Sequence, residues 1–126
     1  MILVDTSAWV DFFRGRGTLA ATVDELLDLG EAALCGPIVT ELRRGLRPTE
    51  RSRVLPLLDG CELLAQPDDL WTTAGDLGAA LARRGIVVKT LDLLIATHAI
   101  GHGVALLTRD TDFKAIANAR LGLMLA

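Results

Sequence analysis

Met1-Ile2-Leu3-Val4-Asp5-Thr6-Ser7-Ala8-Trp9 is the stretch on which the fold turns. Ile2, Leu3 and Val4 form an apolar run with no polar alternation, the pattern of a strand buried on both faces. An acid follows at once. Thr6 and Ser7 come next, hydroxyls of the kind that cap a helix N-terminus. The helix expected after them covers 8–14 and stops at Gly15 and Gly17. A buried strand leading straight into a helix begins a βαβ unit, and such units build parallel sheets.

The alternation continues down the chain. Leu19, Val23, Leu26 and Leu27 mark a helix over 19–29, and 32–35 reads as a second strand. Gly36-Pro37 opens a helix to Gly45, with the proline in its first turn. A further helix runs from Pro48 to 58, and Asp59-Gly60 is a turn. Residues 61–65 read as a third strand, 68–84 as a long helix, 86–88 as a short extended stretch and 91–100 as an apolar helix. A fourth strand is expected at 104–107, a short helix at 111–119 and a fifth strand at 123–125. The expected fold class is α/β, a central parallel sheet of four to five strands with helices on both faces.

The 126 residues suit one domain spanning 1–126, and 51% hydrophobic composition allows a core without disulfides or structural metal. No apolar run reaches the ~18–20 residues that cross a bilayer, and the early Asp5 does not suit a signal peptide. Cys35 and Cys61 lie far apart in apolar surroundings, as reduced thiols do. The expectation is a cytoplasmic protein with no membrane partner. A net charge of −3 argues against binding nucleic acid by bulk charge alone. It leaves room for a nuclease whose acids hold a divalent cation, which inverts the local charge.

Four acids stand where folding does not ask for them. Asp5 follows the first strand and Asp110 lies just beyond the fourth; Asp92 opens an apolar helix, and Glu41 sits inside the helix after the second strand. In an open parallel sheet, ligands bind beyond the carboxyl ends of the strands, where the winding reverses. If the first and fourth strands are neighbours, Asp5 and Asp110 meet there. Packed carboxylates repel one another, and a hard cation such as Mg²⁺ removes that cost. Phosphodiester hydrolysis is the chemistry such a site suits. Taken singly, each acid has a plainer role: Asp5 as a helix cap, Asp92 as a partner of the helix dipole, Glu41 as a solvated residue, Asp110 with Asp112 as a turn.

The chain also resembles a known family. Met1 to Trp9, Val39-Thr40-Glu41-Leu42, Leu91-Asp92-Leu93-Leu94-Ile95-Ala96 and Leu107-Thr108-Arg109-Asp110-Thr111-Asp112-Phe113 resemble, in order, the four motifs of the PIN-domain VapC toxins. One departure is Leu91, where many relatives carry proline. The resemblance implies a three-layer α/β/α PIN domain and an endoribonuclease dependent on Mg²⁺, with Mn²⁺ able to substitute. Asp5, Glu41, Asp92 and Asp110 match the family's acidic quartet, and Asp112 matches a frequent fifth acid. Asp5, Asp92, Asp110 and Asp112 are then the expected metal ligands. Thr6, Ser7 and Thr108 fall inside the motifs as supporting residues. The resemblance further implies a tRNA or rRNA substrate, a VapB-type antitoxin, a homodimer and a toxin–antitoxin hetero-oligomer. Trp9 and Phe13, four residues apart, are the expected apolar anchors for the antitoxin.

Arg43, Arg44, Arg47, Arg51 and Arg53 crowd one stretch; they form either a solvated face or a phosphate track, with Arg43, Arg44 and Arg47 the candidate RNA contacts. His98 and His102 are one turn apart without a third ligand and are read as structural. Trp71 is expected in the core or in a dimer contact. A haloacid-dehalogenase-like phosphatase would need an acid where Ser7 stands, and a phosphoreceiver domain would need an acceptor Asp that 61–67 does not offer. The alternative that remains is a catalytically degenerate PIN domain that binds RNA or a partner without cutting.

Overall fold

The computed structural model describes residues 1–126. In chain order the elements are β1 (Ile2–Val4), α1 (Thr6–Arg14), α2 (Ala20–Asp28), β2 (Ala32–Leu34), α3 (Gly36–Gly45), α4 (Pro48–Asp59), β3 (Glu62–Leu63), α5 (Leu70–Ala82), α6 (Thr90–His102), β4 (Ala105–Leu107) and α7 (Asp112–Asn118). The four strands form one sheet in the order β3-β2-β1-β4, with every pairing parallel. Ile2 lies between Ala32 on one side and Ala105 on the other. The chain winds outward from β1 to β2 to β3, then crosses back over the sheet so that β4 lands on the free side of β1. The reversal therefore falls between β1 and β4, and the amide of Asp5 donates to the Leu107 carbonyl at 2.9 Å across it.

Leu3, Val4, Leu106, Ile38, Ile95, Phe113 and Trp9 are among the fully buried residues that join sheet and helices in one core. No helix is long and apolar enough to cross a membrane.

Several expectations need revision. Thr6 and Ser7 do not cap α1: they are its first two residues, and Asp5 stands at the cap position without a side-chain capping bond. The hydroxyls are drawn to carboxylates instead. The third strand shrinks to Glu62–Leu63, both exposed, because β3 is the sheet's edge and packs against one neighbour only. Residues 86–88 join no strand, and Val87 is 92% exposed. The expected fifth strand is a single parallel bridge, Leu106 to Leu125, which ties the C-terminal residues to β4. Trp71 is 66% exposed and not part of the core. It follows Leu70 on α5, whose buried residues are Leu70, Ala74 and Leu81, so its own position falls off that stripe.

Candidate active site

Beyond the carboxyl ends of β1 and β4, five acids converge from four parts of the chain. Asp5 arrives at the end of β1, Glu41 from the middle of α3, Asp92 from the first turn of α6, Asp110 from the loop that leads into α7, and Asp112 from the first residue of α7. Asp5 and Asp92 are buried, Glu41 and Asp110 half-buried, Asp112 exposed. One carboxylate oxygen each from Asp92, Asp110 and Asp112 lie within 4.8 Å of one another. Asp112 thus stands in a trio with Asp92 and Asp110, and Asp5 is near enough for its charge to act on Asp92.

Hydroxyls organise the deeper acids. Ser7 Oγ donates to Asp5 Oδ2 at 2.9 Å, and Thr108 Oγ1 donates to the same oxygen at 2.8 Å. Each hydroxyl also accepts from backbone, Ser7 from the Arg109 amide and Thr108 from the Asp110 amide, both at 3.0 Å. With both protons committed to Asp5, the 3.3 Å approach of the two hydroxyls to each other is a contact and not a bond between them. Thr6 Oγ1 donates to Glu41 Oε1 at 2.9 Å. The Asp112 amide donates to Asp110 Oδ1 at 2.9 Å, so these two acids do make a turn while both face the site.

Asp92 is the exception. Its Oδ2 is buried and has no hydrogen-bond partner. Burial holds the Asp92 carboxyl above its ordinary range; Lys89 pulls it down, and Asp110, Asp5 and Glu41 push it further up. Cys35, buried between β2 and α3, has its thiol pushed up to about 12, chiefly by burial. The Ile38 amide lowers it in part, and Asp5 and Glu41 raise it again. Cys61 is half-buried, also with a raised thiol.

The histidines are occupied elsewhere. His98 Nδ1 meets the Leu94 carbonyl at 2.8 Å, and His102 Nε2 meets the Ala65 carbonyl at 2.7 Å. Trp9 is fully buried, packed against Phe13 at 5.7 Å and Phe12 at 6.2 Å between ring centroids, and its indole N–H has no partner. Trp9 is therefore part of the core and not an anchor open to a partner. Phe13 is half-buried and lines a groove of about 350 Å³ with Val10, Leu42, Leu46, Arg47 and Glu41. Arg43 and Arg44 are exposed in the last turn of α3.

Sequence reading missed Asp11. It is 5% exposed on α1, accepts from Arg109 Nη2 at 3.1 Å and from the Leu19 amide at 3.4 Å. Its signal was a lone acid inside the apolar run Trp9-Val10-Asp11-Phe12-Phe13.

The PIN domain sequence pattern matches residues 2–119. The chain belongs to the PIN-domain family, in its VapC branch. It is 38% identical over 123 residues to Ribonuclease VapC11 of Mycobacterium tuberculosis, covering 93% of this chain and 92% of that protein. VapBC-5 from Mycobacterium tuberculosis, a member of the VapBC family of toxin–antitoxin systems, superposes with a TM-score of 0.66 at 28% identity over 98% of this chain and 97% of that one. VapBC2 from Rickettsia felis, solved bound to a promoter DNA fragment, shares the fold with a TM-score of 0.79 at 24% identity over 100% and 98%.

Proposed function

We propose that this PIN domain is a Mg²⁺-dependent endoribonuclease, with Mn²⁺ able to substitute, and the toxin of a toxin–antitoxin pair. The observation that carries the reading is the orphaned Oδ2 of Asp92, buried among acids that repel it. Carboxylate oxygens are hard donors, and a hard divalent cation is the partner that suits that oxygen and offsets the repulsion. Asp92, Asp110 and Asp112 would hold it, with Asp5 as the fourth acid. When bound, the cation supplies Lewis acidity to the phosphate and acidifies a water for in-line attack. Ser7 and Thr108 fix Asp5 in one orientation and link it to the backbone that carries Asp110. Thr6 fixes Glu41 through Oε1, which makes Glu41 the acid placed to take the proton of an attacking water.

The names of the VapC relatives as ribonucleases support RNA as substrate. A tRNA or rRNA target and a cytoplasmic setting go with that reading. A VapB-type antitoxin fits the groove beside Glu41, where Val10, Phe13, Leu42 and Leu46 offer apolar walls to an amphipathic helix. A basic side chain at the end of such a segment would meet the acids and compete with the cation. Homodimers and toxin–antitoxin hetero-oligomers are the assemblies that go with this function.

The test is cleavage of defined RNA by purified protein with Mg²⁺, Mn²⁺ or chelator. Cleavage that needs the cation and disappears in Asp92→Asn supports the reading. Equal cleavage in chelator, or by Asp92→Asn, overturns it. RNA ends sequenced after induced expression would name the target.

A further inference from the structure

A second charged concavity adjoins the acids through the loop between β4 and α7. It encloses about 280 Å³ and is lined by Asp11, Arg14, Arg16, Gly17, Thr18 and Arg109, none of them apolar. A buried charge builds it. The Asp11 carboxylate pairs with Arg109 and accepts from the Leu19 amide, which draws the loop after α1 against the loop after β4. Gly17 makes that closure possible: its φ is +104°, and a Cβ there would stand 2.4 Å from Asp11 Cγ. Asp11 is 7% exposed in its side chain and Arg109 50%, so an anion entering the cleft meets guanidinium and not carboxylate. Arg14 and Arg16 are exposed and have no ion-pair partner. Three arginines and one acid leave a charge of +2 in a chain whose net charge is −3.

We infer that this cleft binds a backbone phosphate of the RNA strand, adjacent to the phosphodiester presented to the acids. The inference rests on the proposed ribonuclease function and adds how the strand is held. Arg109 lies between Thr108 and Asp110, and its amide donates to Ser7 Oγ, so the cleft and the carboxylates share one loop. Arg14 also lines the groove beside Glu41, which carries positive charge from the cleft toward the site. A polyanion approaching a cluster of acids needs cationic holds beside it, and planar guanidinium forks match phosphate oxygens in pairs. This cleft gathers three such forks in one concavity, whereas Arg43 and Arg44 are spread over the exposed end of α3.

The experiment compares the parent with Arg14→Ala/Arg16→Ala, and with Arg83→Ala as an exposed charge removed elsewhere. Steady-state cleavage of a single-stranded RNA is followed against salt with Mg²⁺, and binding of the same RNA is titrated in parallel. The double variant is expected to raise KM and Kd about ten-fold while kcat stays within about two-fold of the parent, since the holds act away from the reacting atoms. The slope of log binding against log salt should flatten by about 0.7 for each phosphate that the variant no longer neutralises, and the melting shift produced by Mn²⁺ should be unchanged. KM, Kd and slope equal to the parent, or changes no larger than those of Arg83→Ala, overturn the inference. So does a variant that weakens an antitoxin complex while its RNA parameters stay at the parent's values. If the parent shows no cation-dependent cleavage, the ribonuclease reading fails, and the binding titration still decides the cleft.

Discussion

Asp5 and Asp92 are buried to nearly the same degree, 5% and 9% exposed, and both belong to the acidic cluster, yet their surroundings are opposites. Asp5 Oδ2 accepts from two hydroxyls, each anchored in turn by a backbone amide. Asp92 Oδ2 accepts from nothing. The β1/β4 edge is thus internally complete, and the start of α6 is left with an unmet demand. Burial of a carboxylate costs little when hydrogen bonds replace water and a good deal when they do not. One side of the site is held in place by its own hydrogen bonds; the other leaves a buried carboxylate oxygen unmet, where the proposed cation would bind.

The sharpest way to break this contrast is to neutralise each acid in turn. Asp92→Asn should reduce cation-dependent RNA cleavage by more than about 100-fold, beyond the usual cost of losing a residue that only supports a ligand. It should also raise the melting temperature of the metal-free protein, because it removes an uncompensated buried charge. Asp5→Asn should likewise abolish cleavage but lower metal-free stability by about 1–3 kcal/mol, since its hydroxyl partners lose a charged acceptor. Melting curves in chelator read both. If the two variants shift the melting temperature in the same direction, the contrast is wrong.

A smaller effect concerns the hydroxyls. Thr108→Val and Ser7→Ala each leave Asp5 with one donor, and each should cost about 10–100-fold in activity or cation affinity. Removing Thr6 from Glu41 should lower kcat and leave the cation-induced melting shift as it is. Cation titrations followed by melting separate the two groups, and a Thr6→Val protein with a reduced shift would place Glu41 among the ligands.

The pH dependence sharpens the same comparison. The folded-state pKa of Asp92 is raised, so the native state holds its proton more firmly than the unfolded chain. The Asp92 contribution to stability in chelator should therefore fall as pH rises through the carboxylate range. The advantage of Asp92→Asn over wild type should be full at neutral pH and vanish toward pH ~3, below the unfolded value. An advantage independent of pH would remove the buried charge as its cause. The smallest effect is at Cys35: its raised pKa and burial should keep it unreactive toward thiol reagents at neutral pH until the protein unfolds. Mass spectrometry of the alkylated native protein checks this.

Much of the site's placement was legible because it depends on where strands end. Ile2 to Val4 and Ala105 to Leu107 announce themselves as buried runs, and the acids beyond them fall on the sheet's edge by topology alone. Helix α3 is delimited at both ends by Gly36-Pro37 and Gly45, so Glu41 could be placed on it. What stayed hidden depends on tertiary partners. The shortness of β3 follows from its being an edge, a property of strand order, and the exposure of Trp71 from which face of α5 meets the core. Asp11 is buried because Arg109, nearly a hundred residues later, comes to meet it. The cap assignment at Thr6 failed for a similar reason: local propensity favoured capping, and the Glu41 carboxylate, 35 residues later, claimed the hydroxyl; the Ser7 hydroxyl turned back to Asp5, two residues before it.

The two indoles divide the molecule between them in a way that optical spectroscopy can use. Trp9 lies fully in the core against Phe12 and Phe13, and Trp71 is 66% exposed beside Leu63 and Leu91 in a different concavity. Fluorescence from the native protein should therefore contain a blue, quencher-shielded component from Trp9 and a red, quencher-accessible one from Trp71. With Trp71→Phe, the remaining emission reports loss of the core beside β1. With Trp9 kept and acrylamide added, changes in the accessible fraction report whatever covers the α5 surface. The chain carries an internal gauge of unfolding and a separate gauge of surface contact, each readable without attaching a dye.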